Sequence, residues 1–212
     1  MTSSPAMGSP ATIATIMGAA PVIPVIVIHD IADAVPMAQA LVAGGLRVLE
    51  VTLRTPAALE ALTAMQQVEG AIVGAGTVID EATLEAALKA GAQFIVSPGL
   101  TDPLGKAAIA SGVPFLPGIA NAGDIMRGLD MGLDHFKFFP AMAAGGIPAL
   151  KALSAPFGQC KFCPTGGVTL ETAGNWLALD PVLCVGGSWI IPAGPLDPAA
   201  IQRNASSARA LA

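Results

Sequence analysis

One feature narrows the possible folds more than any other. Short apolar runs of strand character alternate eight times with stretches of helical character. The runs fall at residues 22–28, 46–52, 71–75, 93–97, 114–117, 135–139, 161–164 and 182–185. Helix signals stand between them. Asp30 or Asp33 caps a helix to Ala43, and Gly44-Gly45 stops it. Thr55-Pro56 opens the next with proline at its first position. Further helices are expected over 80–90, from Thr101 to Ser111, from Asn121 to Met131, and over 147–153, 170–179 and 198–210. The strands are nearly continuous apolar runs, as expected where both faces are covered. Eight such units in 212 residues predict an α/β chain folded as a (β/α)8 TIM barrel, one domain over 1–212. An open doubly wound sheet is the competitor, but no G-x-G-x-x-G follows the first strand. Pro24, inside that strand, fits best near an edge or a strand start.

Composition closes off several functions. Charged residues are 12% of the chain, and the net charge is −5 with no basic run, which argues against nucleic-acid binding. An anionic substrate must then be held by local devices. Residues 1–28 carry no charge, yet no Lys or Arg precedes the apolar run, and Gly18, Pro21 and Pro24 interrupt it. A leader peptide or membrane span is not expected there. Residues 1–20 are read as a short N-terminal helical segment ahead of a buried strand. Three cysteines, an odd number, suit a reducing, cytoplasmic setting. Cys160 and Cys163 spell C-x-x-C, a redox or zinc spacing. In a strand, residues three apart point to opposite faces, so the two are not expected to share an ion. Two histidines, His29 and His135, are too few for a histidine-rich metal site, and no metal is expected.

Active sites of such barrels lie at the C-terminal ends of the strands. Lys137 sits among Phe136, Phe138 and Phe139 in the sixth strand. Apolar surroundings disfavour an ammonium, and an uncharged lysine amine is a nucleophile toward ketones and aldehydes. Glu50 shares strand parity with Val48 and Thr52, so if Val48 points into the barrel, Glu50 does too. It suits acid–base work, or equally a structural ion pair with Arg54 or Lys137. Arg54 can fork onto a carboxylate, whereas a helix start is a poor place for a cation. Gly74-Ala75-Gly76 ends strand three, where the glycines are expected to let a ligand approach the backbone and Thr77 offers a hydroxyl; Ser97-Pro98-Gly99 ends strand four. Thr165-Gly166-Gly167 and Gly186-Gly187-Ser188 end strands seven and eight, the usual phosphate position in these barrels. Backbone N–H groups there bind phosphate without a basic side chain.

Together these stretches resemble the 2-keto-3-deoxy-6-phosphogluconate (KDPG) and 4-hydroxy-2-oxoglutarate (KHG) aldolase family. The matching segments are PVIPVIVI at 21–28, AGGLRVLEVTLRT at 43–55, IVGAGTV at 72–78 and FIVSPGL at 94–100. They continue with Pro117–Ile119, FKFFP at 136–140, KFCPTGG at 161–167 and CVGGSW at 184–189. The resemblance implies a (β/α)8 barrel, a homotrimer, and a class I lyase that works without a metal or other cofactor. It implies cleavage of the phosphorylated keto acid to pyruvate and D-glyceraldehyde 3-phosphate, the Entner–Doudoroff reaction, with cleavage of 4-hydroxy-2-oxoglutarate as a second activity. By the same resemblance Lys137 forms the Schiff base and Glu50 relays protons. Arg54 and Thr77 take the substrate carboxylate, and Phe139 and Pro98 wall the pyruvate half. Thr165 meets the reacting end, while Gly166, Gly167, Gly187 and Ser188 hold the phosphate. The chain departs from its relatives at Met142-Ala143-Ala144, where an acid often stands, and at Ala120-Asn121-Ala122. Neither stretch includes an assigned residue, so both bear on specificity rather than on chemistry.

Two other functions use the same residues differently. A sugar-phosphate isomerase or epimerase would use Glu50 as base and Lys137 as a fixed charge. A non-catalytic sugar-phosphate binding protein would bind without turnover. His135 shares parity with Lys137 and is expected either to tune it or to pack at the barrel floor.

Overall fold

The computed structural model describes residues 12–211. Helix α1 (Ile13–Met17) opens at Thr12, and the backbone N–H of each of Thr12 and Thr15 donates to the hydroxyl of the other. The part of the expected 1–20 helical segment that precedes Thr12 lies outside the described residues. Parallel strand segments then alternate with helices: β1 (Val22–Ile26), α2 (Ala34–Ala43), β2 (Val48–Thr52), α3 (Ala58–Met65), β3 (Ile72–Gly76) and α4 (Glu81–Lys89). Next come β4 (Ile95–Val96), α5 (Asp102–Ser111), β5 (Phe115–Leu116), β6 (Gly118–Ile119) and α6 (Ala122–Asp130). The chain ends with β7 (His135–Phe138), α7 (Gly146–Ser154), β8 (Lys161–Pro164), α8 (Leu170–Leu177), β9 (Val185–Gly187) and α9 (Pro198–Arg209).

The strands form a ring. One sheet runs β5-β4-β3-β2-β1-β9 and another β6-β7-β8. Parallel bridges Phe162↔Val182 and Thr165↔Gly186 join the two at one side. At the other side β5 and β6 are one strand position broken at Pro117, whose carbonyl accepts the Lys137 N–H. The closed order removes the doubly wound alternative, and eight strand positions alternate with eight helices as the sequence rhythm predicts. Asp80, Thr101 and Asn121 cap α4, α5 and α6, each side chain accepting from an N–H of the first turn.

Two apolar layers follow from strand parity. Leu49, Val51, Val73 and Ala75 pack outward under the helices. Ile23, Val48, Phe94, Val96, Leu116, Cys163 and Cys184 form a separate inner cluster, and Ile16 and Met17 of α1 pack against it. The lower barrel is therefore filled with apolar side chains, and polar chemistry is confined to the upper layer. Cys160 belongs to the outer layer and Cys163 to the inner one, so the C-x-x-C pair points to opposite faces as predicted.

Three local expectations are corrected. Pro24 lies neither at an edge nor at a start: it stands inside β1, where pairing with β9 ends at Pro24↔Gly187 and pairing with β2 begins at Val25↔Glu50. The missing N–H falls at that hand-over. Thr55-Pro56 lies in a turn that leads into the helix rather than in its first turn: the Ala58 N–H donates to the Thr55 carbonyl, α3 starts at Ala58, and the Thr55 hydroxyl donates to the Ile28 carbonyl just past β1. The last strand is not 182–185 but Val185–Gly187, since register with β1 carries the ladder through Gly186 and Gly187.

Candidate active site

Lys137 projects from β7 into the upper barrel, and its Nζ lies 2.9 Å from Oε1 of Glu50 on β2. Both side chains are almost wholly buried, at 5% and 4% exposure. Of the two pairings open to Glu50 from sequence, the one made is with Lys137. A buried ion pair is not by itself a stabilising device, because desolvation of both charges offsets their attraction. Its presence where the strands open upward points to use. The contact also supplies something that burial among phenylalanines could not: a proton acceptor within one hydrogen bond of the amine. Phe139 caps the pair, its ring centroid 5.5 Å from Nζ.

Around this pair the predicted residues gather at the C-terminal strand ends. Arg54, just beyond β2, is exposed, and its Nε donates to the Thr77 hydroxyl at 3.2 Å. Thr77 follows β3 with φ 62°, a left-handed backbone unusual for a β-branched residue. Such strain collects at sites where position matters. Pro98 lies exposed after β4, and the Ser97 hydroxyl fastens its turn by donating to the Gly99 carbonyl at 2.6 Å. That turn rests on Gly118, the strand partner of Lys137; a β-carbon at Gly118 would stand 2.6 Å from the Gly99 nitrogen and strike the Pro98 backbone.

Thr165 is buried at the top of β8, where its hydroxyl donates to the Cys163 carbonyl at 3.3 Å. Gly166 and Gly167 follow with φ of 101° and 79°, conformations that favour glycine. The Thr165↔Gly186 bridge sets these glycines beside the end of β9, with Gly187 and exposed Ser188. The two glycine-rich strand ends are thus adjacent. The indole of Trp189 covers Gly187, where a β-carbon would come within 2.6 Å of the ring.

Sequence reasoning missed several features. A cleft of about 450 Å³ opens beside Ser188, lined among others by Val27, His29, Asp33 and Leu196. The openings expected at Gly74 and Gly76 do not face a ligand: the Phe94 ring fills the first and the Glu50 side chain the second, and Gly186 likewise leaves space for Thr165. Strand parity could have flagged Gly76, but not which neighbour fills its space. His135 meets Asp134 through Nδ1 at 2.6 Å, near the start of β7. The Cys184 thiol is held protonated, first by its hydrogen bond with Cys163 and then by burial, and burial likewise pushes the Cys160 thiol up. Neither is set up as a nucleophile. Among the described residues no group of three or more His, Cys, Asp or Glu side chains is placed to hold a metal ion.

Comparison with known proteins agrees over nearly the full chain. The family model for KDPG and KHG aldolase matches residues 13–205. The 2-dehydro-3-deoxy-phosphogluconate aldolase of Zymomonas mobilis is 58% identical over 196 residues, covering 92% of this chain and 94% of its own. A crystal structure of the Z. mobilis ZM4 aldolase with 3-phosphoglycerate matches with a TM-score of 0.94 at 56% identity, covering 96% of this chain and 98% of that one. The KDPG aldolase of Legionella pneumophila, captured with pyruvate as a covalent carbinolamine intermediate, matches with a TM-score of 0.85 at 48% identity, covering 95% and 96%. Closed barrel, buried lysine–glutamate pair and similarity over nine-tenths of the chain lead to one conclusion: the chain belongs to the KDPG and KHG aldolase family.

Proposed function

We propose that this protein cleaves 2-keto-3-deoxy-6-phosphogluconate to pyruvate and D-glyceraldehyde 3-phosphate through an imine on Lys137. The observation that carries the reading is the buried Lys137–Glu50 contact at 2.9 Å beneath the open strand ends. Glu50 takes the ammonium proton, and the freed amine adds to the C2 ketone. The carbinolamine loses water, with Glu50 returning a proton to the departing hydroxyl, and an iminium results. Glu50, again a carboxylate, accepts the proton of the C4 hydroxyl, directly or through water. The C3–C4 bond then breaks, its electrons flow into the iminium, and the aldehyde leaves. Protonation of the enamine at C3 and hydrolysis release pyruvate and restore the lysine. The iminium is itself the electron sink, so this chemistry calls for no metal or organic cofactor.

Arg54 and Thr77, already in contact, take the substrate carboxylate, and Pro98 and Phe139 wall the pyruvate half. Thr165 meets the reacting end. Gly166, Gly167, Gly187 and Ser188 take the phosphate, a site that suits a chain with a net charge of −5 because it needs no cationic side chain. Cleavage of 4-hydroxy-2-oxoglutarate, a dicarboxylate with no phosphate, is proposed as a second activity in keeping with the family. We place the protein in the cytoplasm as a homotrimer. Its three free cysteines support the first, and exposed Ile79 and Met126 offer apolar surface for the second. Light scattering should report three chains per particle.

A lactate-dehydrogenase-coupled assay tests the function. Pyruvate should appear from the phosphorylated keto acid, and saturable binding without pyruvate would overturn the reading. The same assay tests the phosphate site. Hydrogen bonds to charged groups contribute about 1.5–3 kcal/mol. Ser188→Ala should therefore raise KM for the phosphorylated substrate roughly tenfold or more, and leave 4-hydroxy-2-oxoglutarate within a factor of two. An equal change for both substrates would remove Ser188 from the phosphate site.

A further inference from the structure

Gly76 is the last residue of β3, next to β2, and its backbone is ordinary extended chain that any residue can adopt. Backbone freedom does not explain a glycine here. Space does. A β-carbon at Gly76 would stand 2.7 Å from Cγ and 2.9 Å from Cδ of Glu50, and closer still to Oε1. That oxygen is the one bonded to Lys137. In register Glu50 pairs with Gly74, so its side chain has run one residue pair up the barrel to lie over Gly76. We propose that Gly76 is a positioning residue: the absence of its side chain is the seat that lets the Glu50 carboxylate reach the Lys137 amine.

The inference rests on the acid–base role given to Glu50 above, and it reaches a residue that touches neither substrate nor lysine. A methyl group at this position must push the carboxylate off the amine by about 1 Å, a misplacement that can lower a rate up to 10²-fold. Gly76→Ala should therefore lower kcat about 50-fold and change KM less than threefold.

A double-mutant cycle separates this role from general packing. Once the acid is disabled, moving it has nothing left to lose. In a Glu50→Gln background Gly76→Ala should lower kcat by less than threefold further. Equal fold losses in the two backgrounds, or no loss in the parent protein, would overturn the seat. If instead Glu50→Gln alone leaves turnover unchanged, the acid–base reading falls, and the seat falls with it. Should Gly76→Ala not fold, melting temperatures decide the question. Glu50→Ala removes the three atoms nearest the new methyl, so Glu50→Ala and Glu50→Ala/Gly76→Ala should melt within about 2 °C of each other. A larger gap shows that Gly76 is small for some other neighbour, and overturns the proposal.

Discussion

Lys137→Arg is expected to remove aldolase activity, by at least ~10⁴-fold in kcat/KM, while the protein keeps its fold. Arginine keeps the positive charge opposite Glu50, so the buried carboxylate is not left without a partner. It cannot give up its proton to become a nucleophile. The substitution thus separates charge from covalent chemistry. Borohydride with pyruvate should attach one pyruvate-derived group to the Lys137 peptide of the parent protein and none to the variant. An isomerase that uses Lys137 as a fixed charge predicts the opposite: substantial retained turnover and no adduct in either. Should the larger guanidinium overpack the space under Phe139, Lys137→Met gives the same answer on activity. Activity within tenfold of the parent in either variant, or an adduct on another lysine, would end the assignment of the imine to Lys137.

How far this site could be read without coordinates depends on whether each inference was local. Parity within one strand placed Glu50 inward beside Val48, and the structure puts Val48 in the inner cluster and Glu50 on the lysine. Lys137 stood out because three phenylalanines flank it, which is again local. The glycine-rich ends of β8 and β9 were visible as composition. What sequence could not decide is which partner Glu50 takes. Lys137 lies 87 residues further along the chain, and the contact exists only once the strands have closed into a ring. The same limit explains the misplaced last strand, whose extent is set by register with β1 at the other end of the chain. Thr55 reads as a helix start from its neighbours, and the structure places a turn there that enters α3 only at Ala58. Gly76 is plain in the sequence as a glycine, and only the neighbouring strand shows why.

Glu50→Gln should lower kcat about 10³-fold, within the range typical for loss of a positioned proton carrier, with KM changed less than threefold. Glutamine matches glutamate in shape and can still accept a hydrogen bond from the amine, so Lys137 stays in place. It cannot carry a proton. It also removes the negative charge that pairs with the lysine, so the amine is no longer tied up in an ion pair. Attack on the ketone is then not the step that suffers most. The losses fall where a proton must move: dehydration of the carbinolamine, release of the C4 hydroxyl proton, and protonation of the enamine. Two measurements follow. On long incubation with pyruvate and borohydride the variant should still label at Lys137, because the imine forms slowly but does form. Exchange of the pyruvate methyl hydrogens with deuterated water should fall by about the same factor as cleavage, since both pass through the enamine. If cleavage fell while exchange stayed at the parent rate, Glu50 would serve only the C4 hydroxyl. If neither fell, the carboxylate would be no more than a structural partner for the lysine.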